Sequence, residues 1–340
     1  MDGFGVVPLG IPRTPVPFTL HVPQPGLDKL SVLLIETAVV VAPSFYNTHS
    51  ASGNPDHPDL DWRAREAHWN TIPQFKMDVT APSDGQVFDL HFAALFSRRA
   101  DAVPVILSYG WPSSWLDYIA VLELLAAKYT SDTLPYHVVA PSIPDYGLST
   151  RSNATTTEPN LYSVAEALNE LMKGLGFDAY VAQGGDVGSG LTAALNAIHD
   201  ECKAKAAVAN LPVSLAENAT LASAQGFINS GTGYMLEQGT RPELISLVLM
   251  SNPVAMLEWI GSMYTDGVNG APLDTILEQV SWYWHTKSYG SGLWSYREVW
   301  APFLRDTHSE TLPSPLAIKT KPAPSRMLHS TCPRTQDLPR

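Results

Sequence analysis

One stretch limits the architectures open to this chain more than any other: Ala179 to Ala194, AYVAQGGDVGSGLTAA. A β-branched and aromatic lead-in, Tyr180 and Val181, runs into Gln183-Gly184-Gly185-Asp186-Val187-Gly188, and a Leu- and Ala-rich segment follows. That order predicts a strand, a sharp turn and a helix, with the apex residue in a strained backbone conformation. Strand and helix must approach closely, and Gly184, Gly185 and Gly188 are read as giving the clearance. The apex residue is Asp186.

An acidic apex narrows the chemistry. A serine attacking a saturated carbon would leave an ether that water cannot open, whereas a carboxylate leaves an ester that water can. Asp186 therefore suggests opening of an epoxide or displacement of a halide. The competing reading is a glycine-rich turn whose aspartate caps the following helix, a common use of that residue.

Composition permits such an enzyme. With 340 residues, 45% of them hydrophobic and 16% charged, the chain can bury a large core. The net charge of −12 argues against a nucleic-acid partner, because no basic stripe replaces phosphate counterions. Cys202 and Cys332 do not make a disulfide framework, so a reducing, cytoplasmic setting is expected. The N-terminus has no basic segment followed by a long apolar one, so neither a signal peptide nor a membrane anchor is expected. No His or Cys cluster has ligand spacing, and no metal or organic cofactor is expected.

Along the chain, Phe18, Leu20 and Val22 read as a short extended piece, followed by a helix start near Gly26. The Pro-containing stretch around Pro43, Pro55 and Pro58 reads as loop, and Asp61 to Asn70 as a helix ending before Pro73. Strands are predicted at Val87 to Phe96, Val103 to Leu107, His137 to Ala140, Tyr180 to Ala182 and Ala206 to Leu211. Helices are predicted at Tyr118 to Tyr129 and Leu161 to Leu175. Such alternation implies a doubly wound, mainly parallel sheet, whose ligands sit at the carboxyl ends of the strands, where Trp111, Asp145 and Asp186 fall. Beyond Asn218 the alternation stops. Gln225 to Gln238, Pro242 to Leu249, Val254 to Tyr264 and Leu273 to His285 read as helices rich in Trp, Tyr and Met, as in a helical cap with an aromatic underside. Trp282, Trp284 and Trp294 are equally well explained as helix-to-helix core.

The ordered motifs resemble those of fungal, microsomal-type epoxide hydrolases of the α/β-hydrolase superfamily. They are Asp61-Trp62-Arg63 with Glu66, Asn70, Pro73 and Phe75; Gly110-Trp111-Pro112; Tyr146-Gly147-Leu148-Ser149; and Gly185-Asp186-Val187-Gly188-Ser189. Gly233-Tyr234 with Gln238, Thr240-Arg241-Pro242, Asn252-Pro253-Val254, Trp259-Ile260-Gly261 and Ser295-Tyr296-Arg297-Glu298 complete the set. The resemblance implies an α/β-hydrolase core with an inserted cap. It makes Asp186 the nucleophile, Tyr234 and Tyr296 the acids that protonate the epoxide oxygen, and the main-chain N–H groups of Trp111 and Val187 the oxyanion hole. A neutral phenol suits a strongly basic alkoxide leaving group. Taken singly, either tyrosine reads as a packed aromatic with its hydroxyl at the surface. The family's usual histidine before Gly110 is replaced by Tyr109.

The implied organisation is an epoxide-hydrolase-type N-terminal region at 1–80, a hydrolase core at 81–215, a cap at 216–300 and an irregular tail at 301–340. The family's last two strands, with a catalytic acid and a histidine, find no match after Lys321-Pro322; Asp337, His308 and His329 sit in no matching motif. A truncated or frameshifted end is expected, and with it impaired turnover. The expected ligand is a small apolar epoxide handled in detoxification or secondary metabolism, and a homodimer is compatible with the sequence. Two alternatives stand beside this reading. One is a haloalkane dehalogenase, for which Val187 lacks the side-chain donor needed to hold a halide; the other is a ligand-binding relative without catalysis.

Overall fold

A computed structural model describes residues 1, 3–37, 60–151, 158–198, 207–210, 231–265 and 271–298. The expected Pro43 to Pro58 loop and the 301–340 tail, with His308, His329 and Asp337, lie outside them.

Among the described residues eight strands form one sheet: β1 (Val16–Phe18), β2 (Gln74–Thr80), β3 (Val87–Leu95), β4 (Val103–Ser108), β5 (Tyr136–Pro141), β6 (Thr150–Arg151), β7 (Val181–Gly185) and β8 (Ala207–Asn210). Their spatial order is β1-β2-β3-β5-β4-β7-β8, with β6 beside β3. The pairs β4–β5, β4–β7 and β7–β8 are parallel, while β3 runs antiparallel to β2, β5 and β6, and β1 antiparallel to β2. Six of the eight strands thus share one direction, as the alternating pattern implies. Strand β2 is absent from the sequence reading. Its inward residues Phe75, Met77 and Val79 recur at the period of two that a half-buried strand requires.

The helices are α1 (Gln24–Glu36), α2 (Trp62–Trp69), α3 (Ile119–Lys128), α4 (Leu161–Gly174), α5 (Val187–Ile198), α6 (Gly233–Thr240), α7 (Pro242–Ser251), α8 (Pro253–Thr265) and α9 (Leu273–Thr286). Asp61 caps α2 by accepting from Ala64 N at 3.0 Å. Asn160 caps α4, and Ser163 closes a reciprocal capping box. Val164, Leu168, Leu171 and Met172 line the buried face of α4, which packs on α5 and β2, while α5 lies across β4, β7 and β8. Among the described residues no single helix is long and apolar enough to cross a membrane.

Helix α2 ties the N-terminal segment to the helices that follow the sheet. Its buried Glu66 accepts from Val22 N at 2.5 Å and from Arg63 at 2.6 Å, while Arg65 pairs with Asp274 and Glu278 of α9. Burial alone would raise the Glu66 pKa, but the bonds from Val22, Arg63 and Trp62 hold it below the ordinary value.

A titration built into the sheet gives a stability prediction. His91 on β3 is buried, with Nδ1 2.9 Å from Ser142 Oγ and Nε2 3.0 Å from Gln74 Oε1. The Gln74 amide donates to Trp69 O, so its oxygen faces the ring and Nε2 carries the imidazole proton. Burial, and then the Lys76 charge, push the His91 pKa down to about 3. An unfolded imidazole takes up its proton near 6.5. Its contribution is therefore full above pH 6.5 and lost as pH falls from there toward 3. His91→Gln should flatten the fall of the urea midpoint between pH 7 and pH 4, a difference of roughly 3 kcal/mol.

Candidate active site

The turn between β7 and α5 has the strain expected of it. Asp186 sits at φ +54°, in the left-handed region that few side chains adopt. Two of the three glycines make the close approach. A Cβ on Gly184 would lie 2.1 Å from Gly188 O, and one on Gly188 would lie 2.2 Å from Ser108 O at the end of β4. The third assignment is corrected: a Cβ on Gly185 meets nothing within 4 Å, because that residue faces away from α5. The carbonyl of Asp186 accepts from Ser189 N at 2.9 Å and Ser189 Oγ at 2.6 Å.

Strand β4 ends beside this turn and delivers Tyr109-Gly110-Trp111. The main-chain N–H of Trp111 donates to Asp186 Oδ1 at 3.0 Å. Tyr109 leaves that contact intact: its ring is buried against Tyr146, and its hydroxyl accepts from Ile143 N at 2.9 Å. Val187 opens α5, so its amide is among the first-turn N–H groups that have no acceptor within the helix.

Gly110 lies against the carboxylate itself. A Cβ there would come within 2.3 Å of Asp186 Cβ and Oδ1. Gly110→Ala is expected to cost about 1–3 kcal/mol of stability and to push the carboxylate off the Trp111 amide. A thermal melt and reactivity with styrene oxide should both fall together.

Trp111 connects the turn to the two tyrosines. Tyr234, near the start of α6, stacks on its indole at 5.7 Å between ring centroids and 17° between planes. Tyr296 meets the same indole edge-on at 5.4 Å and Tyr234 at 5.9 Å. Burial raises the Tyr234 pKa, against the lowering bond with Tyr296, and the Asp186 charge adds to the rise. Burial first, and then the neighbouring Tyr234 and Asp186, hold Tyr296 well above an ordinary phenol. Both hydroxyls therefore stay neutral at pH 7 beside a carboxylate.

The helical turn over 291–298 that carries Tyr296 is bound to the sheet's loops at several points. Ser291 Oγ donates to Asp145 O at 2.7 Å and Trp294 Nε1 to Pro144 O at 3.2 Å, while Ser295 Oγ is 3.0 Å from Tyr146 OH. Leu161 N, in the first turn of α4, donates to Glu298 Oε2 at 2.7 Å. Asp145, itself at φ +67°, is buried against Arg151. Burial raises its pKa to about 6, against the lowering influence of Arg151.

Helices α8 and α9 are fastened to the turn just after Trp111. Ser114 Oγ donates to Gln279 Oε1 at 2.7 Å, Gln279 Nε2 to Asp117 Oδ1 at 2.8 Å, and Tyr283 OH to Ser113 O at 2.9 Å. Tyr264 OH lies 3.2 Å from Ser113 Oγ. Trp282 is core: it packs on Trp69 and Trp115 and fills the space beside Gly147, where φ is +59°. None of these partners is marked by a local sequence signal, because each pair is far apart in the chain.

Among the described residues no group of three or more His, Cys, Asp or Glu side chains could hold a metal ion. The five described histidines are engaged elsewhere: His21 near Glu66, His68 on Glu123, His91 in the sheet, His137 on Ser97 N and His285 against Trp62.

Sheet, acidic turn and helices beyond the sheet define an α/β-hydrolase with a carboxylate at the apex. A family model for the epoxide hydrolase N terminus matches residues 15–118, and one for the alpha/beta hydrolase fold matches residues 103–251. A Dothistroma septosporum protein provisionally named an epoxide hydrolase is 35% identical over 325 residues, covering 87% of this chain and 76% of its own. The solved epoxide hydrolase of Aspergillus niger superimposes with a TM-score of 0.77 at 34% identity, over 89% of this chain and 83% of that one. The juvenile hormone epoxide hydrolase of the silkworm Bombyx mori, at 20% identity and a TM-score of 0.65, shares the fold. The chain belongs to the epoxide hydrolase family.

Proposed function

We propose that this chain opens small apolar epoxides by attack of Asp186 on a ring carbon. The carboxylate oxygen forms the new C–O bond as the ring C–O bond breaks, and the oxygen that leaves takes a proton from Tyr234 or Tyr296. The product is an ester of Asp186 carrying a neighbouring hydroxyl. The observation that carries this reading is the convergence on Trp111: its amide holds the carboxylate, and its indole contacts both phenols. Water then attacks the ester carbonyl, with the Trp111 and Val187 amides receiving the charge of the tetrahedral intermediate, and a vicinal diol leaves. Activating that water with a general base is worth roughly 10²- to 10⁴-fold.

In this reading the core spans 81–215 and the cap 216–300, while the 1–80 region supplies β1, β2 and the Glu66 tether. On the same reading the chain consumes small apolar epoxides in detoxification or secondary metabolism in the cytoplasm, and a homodimer is compatible with its sequence. Intact-protein mass spectrometry after exposure to styrene oxide tests the proposal. One added substrate mass, mapped to the peptide carrying Asp186, supports it; label elsewhere, or neither label nor diol, overturns it.

A further inference from the structure

The helical turn that carries Tyr296 is held unequally at its two ends. Before the tyrosine, Ser291, Trp294 and Ser295 bind the loop from Pro144 to Tyr146. Beyond it, among the described residues, two side chains hold on. Arg297 pairs with Glu158 at 3.2 Å, with both groups about half exposed, and Glu298 Oε2 accepts from Leu161 N at 2.7 Å. An exposed ion pair restrains little. Glu298 is therefore the main side-chain restraint on that side. Leu161 is the first residue of α4, and its amide is the one that the helix's own cap leaves over, since Asn160 Oδ1 accepts from Tyr162 N and Ser163 N. The Leu161 side chain lies over Gly190 of α5, where an added Cβ would meet it at 3.4 Å. Gly190 is on the first turn of the helix that follows Asp186.

One bond thus joins the segment carrying a phenol to the helix pair that follows the carboxylate. Burial raises the Glu298 pKa, and the Leu161 bond is what opposes the rise. We propose that Glu298 is a positioning residue for Tyr296, its bond to the Leu161 amide setting where the phenol stands relative to Asp186. A displacement of about 1 Å in such a donor costs up to about 100-fold in rate. This inference rests on the acid role proposed for Tyr296.

The test follows protein adduct plus diol formed from styrene oxide over a range of concentrations. Glu298→Ala should lower the maximal rate by about 10- to 100-fold and leave half-saturation within about threefold, because the lost contact bears on the reacting group and not on binding. Glu298→Gln keeps an acceptor oxygen at the same reach and should recover the rate to within about threefold. In a Tyr296→Phe chain, adding Glu298→Ala should change the rate by less than about twofold, since no hydroxyl remains to be misplaced. A packing role predicts the same fold-loss in both backgrounds, and that result overturns the proposal, as does an unchanged rate in Glu298→Ala. Where Glu298→Ala does not fold, Leu161→Pro removes the donor instead. Proline is accepted at the first helical position, and Asn160 already has the extended backbone (φ −127°, ψ 169°) that a following proline requires. Leu161→Pro should slow the chain by about 10- to 100-fold when Tyr296 is present and by less than about twofold in Tyr296→Phe, and any other pattern overturns the proposal. A Tyr296→Phe chain as fast as the unaltered one overturns the acid role of Tyr296 and this inference with it. A slow Tyr296→Phe beside a fast Glu298→Ala overturns the positioning alone.

Discussion

Asp186→Asn protein exposed to styrene oxide should gain no mass and release no diol, a loss of about 10⁴- to 10⁶-fold in epoxide consumption. The expectation follows from electronics. A neutral amide oxygen is a far weaker nucleophile than a carboxylate oxygen, and its adduct would not be an ester. Asparagine is the informative replacement because it tolerates the left-handed conformation that the turn imposes at φ +54°. Asp186→Ala also removes the carboxylate, but it places a residue with no local hydrogen bond in that conformation, at about 1–2 kcal/mol. An Asn variant that melts with the unaltered chain and forms no adduct locates the chemistry at this side chain. Adduct formation at an unchanged rate would remove Asp186 from the mechanism.

The second large effect concerns the phenols. Tyr234→Phe or Tyr296→Phe is expected to slow adduct formation by about 10²- to 10³-fold each, the usual consequence of losing one donor to a developing oxyanion. The double variant should fall further, because the leaving alkoxide then has no acid in reach. A pH profile separates this role from packing. Burial raises both pKa values, so the rate of ring opening should hold within about twofold between pH 8 and pH 10, where an ordinary phenol is already half ionised. A drop centred on pH 10 would show that neither hydroxyl is shielded as the structure indicates.

Most of the sheet and the turn could be read from the residues because both are written locally. β4, β5, β7 and β8 are short apolar runs closed by turn residues, and the Gly-rich apex announces the β7 to α5 turn. β2 escaped because its period-two pattern begins directly after the Pro73 that ends a helical stretch, and Lys76 and Asp78 dilute its apolar content. Gly185 misled for the opposite reason: composition marks a glycine, but only coordinates show whether anything stands where its side chain would be. The family likeness pointed to Tyr234 and Tyr296, yet not to what holds them. Glu298 on the first turn of α4, Ser295 beside Tyr146 and Tyr289 on Gln238 join segments 137, 149 and 51 residues apart, and no periodicity encodes such pairs. Gln238 is visible as a motif member, but nothing in its neighbourhood in sequence marks Trp259 Nε1 and Tyr289 OH as the donors to its side-chain oxygen.

The fastening of α9 at Ser113, Ser114 and Asp117 bears on how a ligand gets in. Those residues follow Trp111 within six positions, so the backbone they grip is continuous with the amide that holds the Asp186 carboxylate. A hinged lifting of α9 would tug that amide out of place. Admission of the ligand and retention of that contact would then be mutually exclusive states, and passage past side chains, with α9 left seated, is the route that keeps the Asp186 carboxylate on the Trp111 amide.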